Sequence, residues 1–180
     1  MRADAERNLE ALLTTAARML AADPAVSIAS IAAAAGVDRR TVYRRFASRD
    51  DLEQAVYTAR LDAVEAAIAD ARLREAPIPV ALHRYVENVI LVNQRWPVDF
   101  DRMLADPAMN TRRNASIREV DAFLARATEA GFLRTGLPEG WAAKVLPQLV
   151  HVVVRQMPHL DAARGADLVV DTLLHGIGTP

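Results

Sequence analysis

The 180-residue sequence contains no cysteine. That excludes a disulfide framework, a thiolate metal site and a cysteine nucleophile, and it gives no sign of secretion. Lysine is almost as scarce, with Lys144 alone among 22 basic residues. Apolar runs such as "YVENVILVNQRW" are too short and too interrupted to cross a bilayer, and the opening "MRADAERNLEALL" lacks the apolar core of a signal peptide. A soluble cytoplasmic protein is expected. No segment alternates as a strand does. Catalytic signatures are missing too: His83, His151, His159 and His175 are scattered, and no two-histidine zinc spacing, Gly-rich phosphate loop or nucleophile elbow occurs. We therefore expect no enzyme, no metal and no cofactor.

What is present is helical periodicity from end to end, which predicts an all-α fold of nine helices. Leu9, Leu12, Leu13, Ala16 and Leu20 line one face of a first helix that stops at Asp23-Pro24. Ser27 is placed to cap a short second helix, "IASIAAAAG", whose Gly36 can take the left-handed conformation that ends it. A third helix, "RRTVYRRF", follows after only two residues, with Asp38 as its cap. Two short helices separated by a tight turn have the form of a helix-turn-helix. A long connecting helix then runs from Ser48 to about Glu75, and "APIPV" breaks it. Further helices are expected in "ALHRYVENVILVNQRW", in "VDFDRMLAD" after Pro97, from about Ser116 to Ala130 with Gly131 beyond, in "LPEGWAAKVLPQLVHVVVRQM" with a kink at Pro147, and in "DAARGADLVVDTLLHGI".

Charge is distributed unevenly along this pattern. The stretch "GVDRRTVYRRFASR", residues 36–49, carries five arginines against one aspartate in a chain whose net charge is −1. A single basic surface on a mildly acidic body suits one polyanion-binding site better than general adhesion to nucleic acid. At 100° per residue, Val42 and Phe46 share one face of the third helix, Arg40 and Arg44 lie opposite, and Thr41 and Tyr43 flank them. Such a helix can dock through its apolar side and present arginine to guanine edges in a major groove, while threonine, tyrosine and further arginines hold phosphates.

Residues 26–52, "VSIASIAAAAGVDRRTVYRRFASRDDL", resemble the tetracycline-repressor (TetR) family of bacterial transcription regulators. Ile31-Ala32, Ala35-Gly36-Val37, Thr41, Tyr43, Phe46 and Leu52 fall at that family's spacing. The resemblance implies that Arg39 and Arg40 read bases, that Thr41 and Tyr43 touch phosphates, and that Ser27 contacts a phosphate from the start of the second helix. Arg45 and Arg49 stand where histidine and lysine are frequent in the family, and both keep phosphate-binding chemistry, as does Arg44. The division implied is a DNA-binding domain at 1–47 and an effector-binding and dimerisation domain at 48–180.

Beyond residue 52 the likeness is confined to helix pattern. It implies a small-molecule effector pocket among the central helices and a homodimer formed by the last two. Candidate pocket residues are Tyr85, Val89, Val92, Trp96, Phe100, Met103 and Phe123, with Asn88, Asn93, His151 and Arg155 as polar anchors. Val145, Leu149, Val152 and Val153, with Val169, Val170, Leu173 and Ile177, offer more apolar surface than two terminal helices need for their own packing. The whole reading is a ligand-responsive repressor that binds a palindromic double-stranded DNA operator and lets go when effector binds. The alternative is a helical ligand carrier whose basic helix is incidental, which predicts small-molecule binding without sequence-specific DNA affinity.

Overall fold

The computed structural model describes residues 2–177, with side chains from residue 6 onward. Among the described residues there are nine α-helices and no strand: α1 (Arg2–Ala22), α2 (Ile28–Ala34), α3 (Arg39–Arg45), α4 (Arg49–Ala71), α5 (Ile78–Arg95), α6 (Phe100–Leu104), α7 (Pro107–Glu129), α8 (Trp141–Gln156) and α9 (Ala162–His175). They form two compact units, one made of residues 1–62 and 95–111, the other of 63–94 and 112–180. The first unit thus reaches past residue 47 to take in the first part of α4, all of α6 and the start of α7.

In the first unit, local chemistry starts each helix of the helix-turn-helix and the long helix after it. Ser27 Oγ accepts the Ser30 N–H at 3.0 Å and caps α2. Gly36, at φ +67°, makes the left-handed turn that a side chain would resist. Asp38 Oδ1 accepts the Arg40 N–H at 2.8 Å to start α3. Ser48 and Asp51 then cap α4 reciprocally: the Ser48 N–H donates to Asp51 Oδ2 at 2.9 Å and the Asp51 N–H to Ser48 Oγ at 3.1 Å. The apolar stripes so aligned bury Leu12, Ala16, Ile31, Ala32, Val42, Phe46, Leu52 and Val56. Each large aliphatic among them contributes roughly 1.5–3 kcal/mol relative to exposure.

In the second unit, Leu82, Val86 and Ile90 of α5, Phe123, Leu124 and Ala127 of α7, Leu146, Val150 and Val153 of α8 and Ala166 and Val169 of α9 share one core. Gly165 lets α9 cross close to α8 and α5, because a β-carbon there would stand 2.6 Å from Val153 Cγ1 and 3.1 Å from Ile90 Cδ1. The loop after α4 is held down by Arg126, whose guanidinium donates to the carbonyls of Leu73 and Arg74. Pro147 lies inside α8, on its exposed side, and the helix continues through it to Gln156.

One helix is longer than its pattern suggests. α7 starts at Pro107 rather than near Ser116. Asp106 Oδ1 accepts the N–H groups of Ala108 and Met109 at 2.7 and 3.1 Å, and Pro107 takes the first helical position, where its missing N–H costs nothing.

Candidate nucleic-acid interface

The turn at Gly36 and the cap at Asp38 aim α3 so that Val42 and Phe46 are buried while Arg39, Arg40, Thr41, Tyr43, Arg44 and Arg45 are exposed. The side chains of Arg39, Arg40, Tyr43 and Arg44 rim an open hollow on this face. The Arg39 guanidinium sits 5.1 Å from the centre of the Tyr43 ring, close enough for a cation–π contact that gives it a preferred direction. Among the described residues, Arg39, Arg40, Arg44 and Arg45 make no ion pair, so their charge is available to a polyanion.

Two residues expected at this interface are committed elsewhere. Arg49 folds inward: it donates from Nε to Glu53 Oε1 at 2.8 Å and from its two terminal nitrogens to the carbonyls of Val26 and Pro24. Its geometry is that of a staple between α4 and the α1–α2 loop, which engages the nitrogens expected to hold a phosphate. Ser27 remains exposed, but its hydroxyl caps α2 and also shares a hydrogen bond with Ser30 Oγ at 2.8 Å. Glu53, absent from the expected site, is 6% exposed, and its second oxygen meets Arg102 of α6 at 3.2 Å. The i,i+4 spacing of Arg49 and Glu53 is the one available signal; nothing in sequence connects either to Arg102.

The effector candidates fall in both units. Tyr85, Asn88, Val89, Val92 and Phe123 belong to the second unit, whereas Trp96, Phe100 and Met103 belong to the first. Trp96 and Met103 are buried, and Phe100 is exposed with the Arg60 guanidinium 4.6 Å from its ring centre. Tyr85 packs against the core of the second unit; burial first, and then the Asp121 charge, push its phenol up to about 12. Asn88 donates to Asp70 Oδ2 at 2.9 Å. His151 and Arg155 stand with Lys144 on the exposed side of α8, opposite Leu146, Val150 and Val153, away from the core of the second unit.

The dimer candidates divide in the same way. Val153 and Val169 are buried inside the second unit's own core, so they have almost no surface left for a partner. Val145, Leu149, Val170 and Leu173 are half-buried, and Val152 and Ile177 are exposed. Trp141 and Leu168, exposed on the same two helices, extend the apolar surface that remains. Among the described residues, no helix is long and apolar enough to cross a membrane, and no cluster of three or more histidine or carboxylate side chains could hold a metal ion.

Residues 12–56 match the family model described as bacterial regulatory proteins, tetR family. The chain is 34% identical over 146 residues, 78% of its own length and 74% of the relative's, to the HTH-type transcriptional repressor LfrR of Mycolicibacterium smegmatis. It is similar to the crystal structure of LfrR in complex with proflavine, with a TM-score of 0.74 at 28% identity over 98% of this chain and 99% of that one. It also has the fold of the TetR family regulator PfmR from Thermus thermophilus, with a TM-score of 0.72 at 21% identity over 93% and 99% of the two chains.

Proposed function

From the premise that this chain belongs to the tetR family of bacterial regulatory proteins, and is a DNA-binding transcriptional regulator rather than an enzyme, we propose that it represses transcription from the cytoplasm as a homodimer on a palindromic operator. One observation carries this reading: α3 exposes four arginines that make no ion pair among the described residues, with Arg40 and Arg44 on the side opposite buried Val42 and Phe46. Arg40 reads guanine in the major groove, and Arg39, held over Tyr43, reads a neighbouring base. Thr41, Tyr43, Arg44 and Arg45 hold the flanking phosphates. Ser27 adds a phosphate contact only through whatever capacity its capping role leaves.

Dimerisation uses the apolar surface left on α8 and α9, where Val152 and Leu168 are exposed. The effector is a small organic molecule taken up in the second unit near Tyr85, Val89 and Phe123. The similarity to a repressor crystallised with proflavine supports an effector of this general kind. Effector binding lowers operator affinity by favouring a dimer whose recognition helices no longer stand about 34–36 Å apart, one turn of the duplex.

Selection of bound sequences from a random DNA pool tests the proposal. A palindromic consensus is the expected result. Recovery of no consensus, with retention of small aromatic molecules, would instead establish the ligand carrier. Fluorescence anisotropy of the operator complex against a panel of aromatic and apolar metabolites then identifies the effector by release.

A further inference from the structure

Within the first unit, α4 is tied to α6 at two places and to the α7 cap at a third. Arg102 reaches Glu53 at 3.2 Å, Gln54 Nε2 donates to Asp106 Oδ2 at 3.2 Å, and the Phe100 ring lies under the Arg60 guanidinium. The first of these ties continues toward the helix-turn-helix. Glu53 is a carboxylate with almost no solvent access, and it lies between two guanidiniums: Arg102 on one oxygen, and Arg49 Nε on the other at 2.8 Å. Arg49 in turn donates to the carbonyls of Pro24 and Val26, the residues that lead into the Ser27 cap of α2. Burial first, and then the Glu53 charge, raise the neighbouring Tyr57 phenol above its ordinary value, with the Arg102 charge opposing them.

A residue in α6 is thereby connected, side chain by side chain, to the loop that sets the entry of α2. The tight turn at Gly36 joins α2 to α3, so the aim of the exposed arginines depends on where α2 starts. A guanidinium held at Nε by a buried carboxylate keeps its two terminal nitrogens in a fixed fork, which is the geometry two adjacent carbonyls need. Without the Arg102 charge on its far oxygen, that carboxylate is free to turn and Arg49 loses its orientation.

We propose that Arg102, acting through Glu53 and Arg49, is a positioning residue for operator recognition, although it lies 57 residues beyond Arg45 and outside the helix-turn-helix. The proposal rests on the reading of the chain as an operator-binding protein. It goes beyond that reading by making α6 a working part of the DNA-binding unit.

The test uses the full-length protein and the palindrome selected by the wild type, with affinity read by fluorescence anisotropy over a range of salt. Arg102→Ala weakens binding to the palindrome about tenfold, the size of coupling usual within one ionic network, while random DNA is held nearly as before. The slope of log affinity against log salt stays that of the wild type, because no phosphate contact is lost; a direct contact would lower it by about 1. Arg102→Lys recovers most of the affinity. Glu53→Gln also weakens binding, and adding Arg102→Ala to it weakens binding no further. The melting temperature of Arg102→Ala falls less than that of Arg49→Ala, since Arg102 is half-exposed and gives Glu53 one contact, whereas Arg49 also holds two backbone carbonyls. Wild-type affinity in Arg102→Ala, a slope lowered by about 1, or additive losses in the double variant would each overturn the relay. A wild type that selects no palindrome would overturn the operator-binding reading itself, which distinguishes the two failures.

Discussion

Arginines that look alike in the sequence have different tasks, and substitution separates them. Arg40→Ala should cost about 1–3 kcal/mol at the cognate site and relax base preference there. Equal losses on cognate and random DNA would remove its base-reading role. Arg44→Ala should weaken all sequences evenly and lower the salt slope by about 1. Arg49→Ala should leave that slope unchanged and lower the melting temperature, because it frees two backbone carbonyls and leaves buried Glu53 with one partner fewer. Tyr85 carries a prediction of a different kind. Its folded phenol titrates near 12 against an ordinary 10, so the folded state keeps a proton that the unfolded chain gives up. Its contribution is complete below pH 10 and is lost as pH rises through 12, at up to about 1.4 kcal/mol per pH unit. Denaturant titrations from about pH 9 to 12 should therefore show a shallower loss of stability in Tyr85→Phe than in the wild type.

At the scale of helices, the crossing of α9 over α8 and α5 is the most constrained contact. Gly165→Ala gains about 1 kcal/mol of intrinsic helix preference. It also sets a methyl 2.6 Å from Val153 Cγ1, a β-branched side chain with little freedom to turn away. The clash should win, with a net loss of about 1–3 kcal/mol in chemical denaturation, and adding Val153→Ala should restore part of it. Helix content is legible in the sequence because caps and apolar stripes coincide: Ser27, Asp38 and Ser48 each start a helix where the apolar period starts. The first nine residues of α7 are not, because "PAMNTRRNA" has no apolar period and only the Asp106-Pro107 pair announces it. The basic face of α3 is legible for a related reason: seven residues separate buried from exposed positions on geometry alone. The inward turn of Arg49 is not, since its partners at Pro24 and Val26 depend on how distant segments meet. The same limit applies to His151 and Arg155, expected in a pocket and found on the exposed side of α8. Periodicity places them opposite Val150 and Val153, yet it does not say which side of α8 a ligand would approach.

At the scale of the whole molecule, the apolar surface left on α8 and α9 should make the protein a dimer. Val152→Arg tests this more cleanly than Leu173→Arg, because Val152 is exposed and Leu173 packs against the core of its own unit. An arginine at 152 leaves the protomer folded and places a charge in the interface. Light scattering should then report half the wild-type mass. A wild type that is already monomeric, or a variant that stays dimeric, would place the interface elsewhere.

Lys144 gives that dimer a convenient reporter. It is the sole lysine, exposed on α8 three residues after Trp141 and beside the apolar edge that carries Val145 and Val152. Amine-directed dyes therefore have one side chain to find, apart from the α-amino group, whose lower pKa allows it to be blocked first near neutral pH. A single fluorophore per protomer then sits on the flank of the association surface, and two identical fluorophores brought together exchange excitation and depolarise their own emission. Steady-state polarisation of the labelled protein alone, with no DNA and no effector, would read association at nanomolar concentration, and a rise in polarisation on dilution would give the dissociation constant.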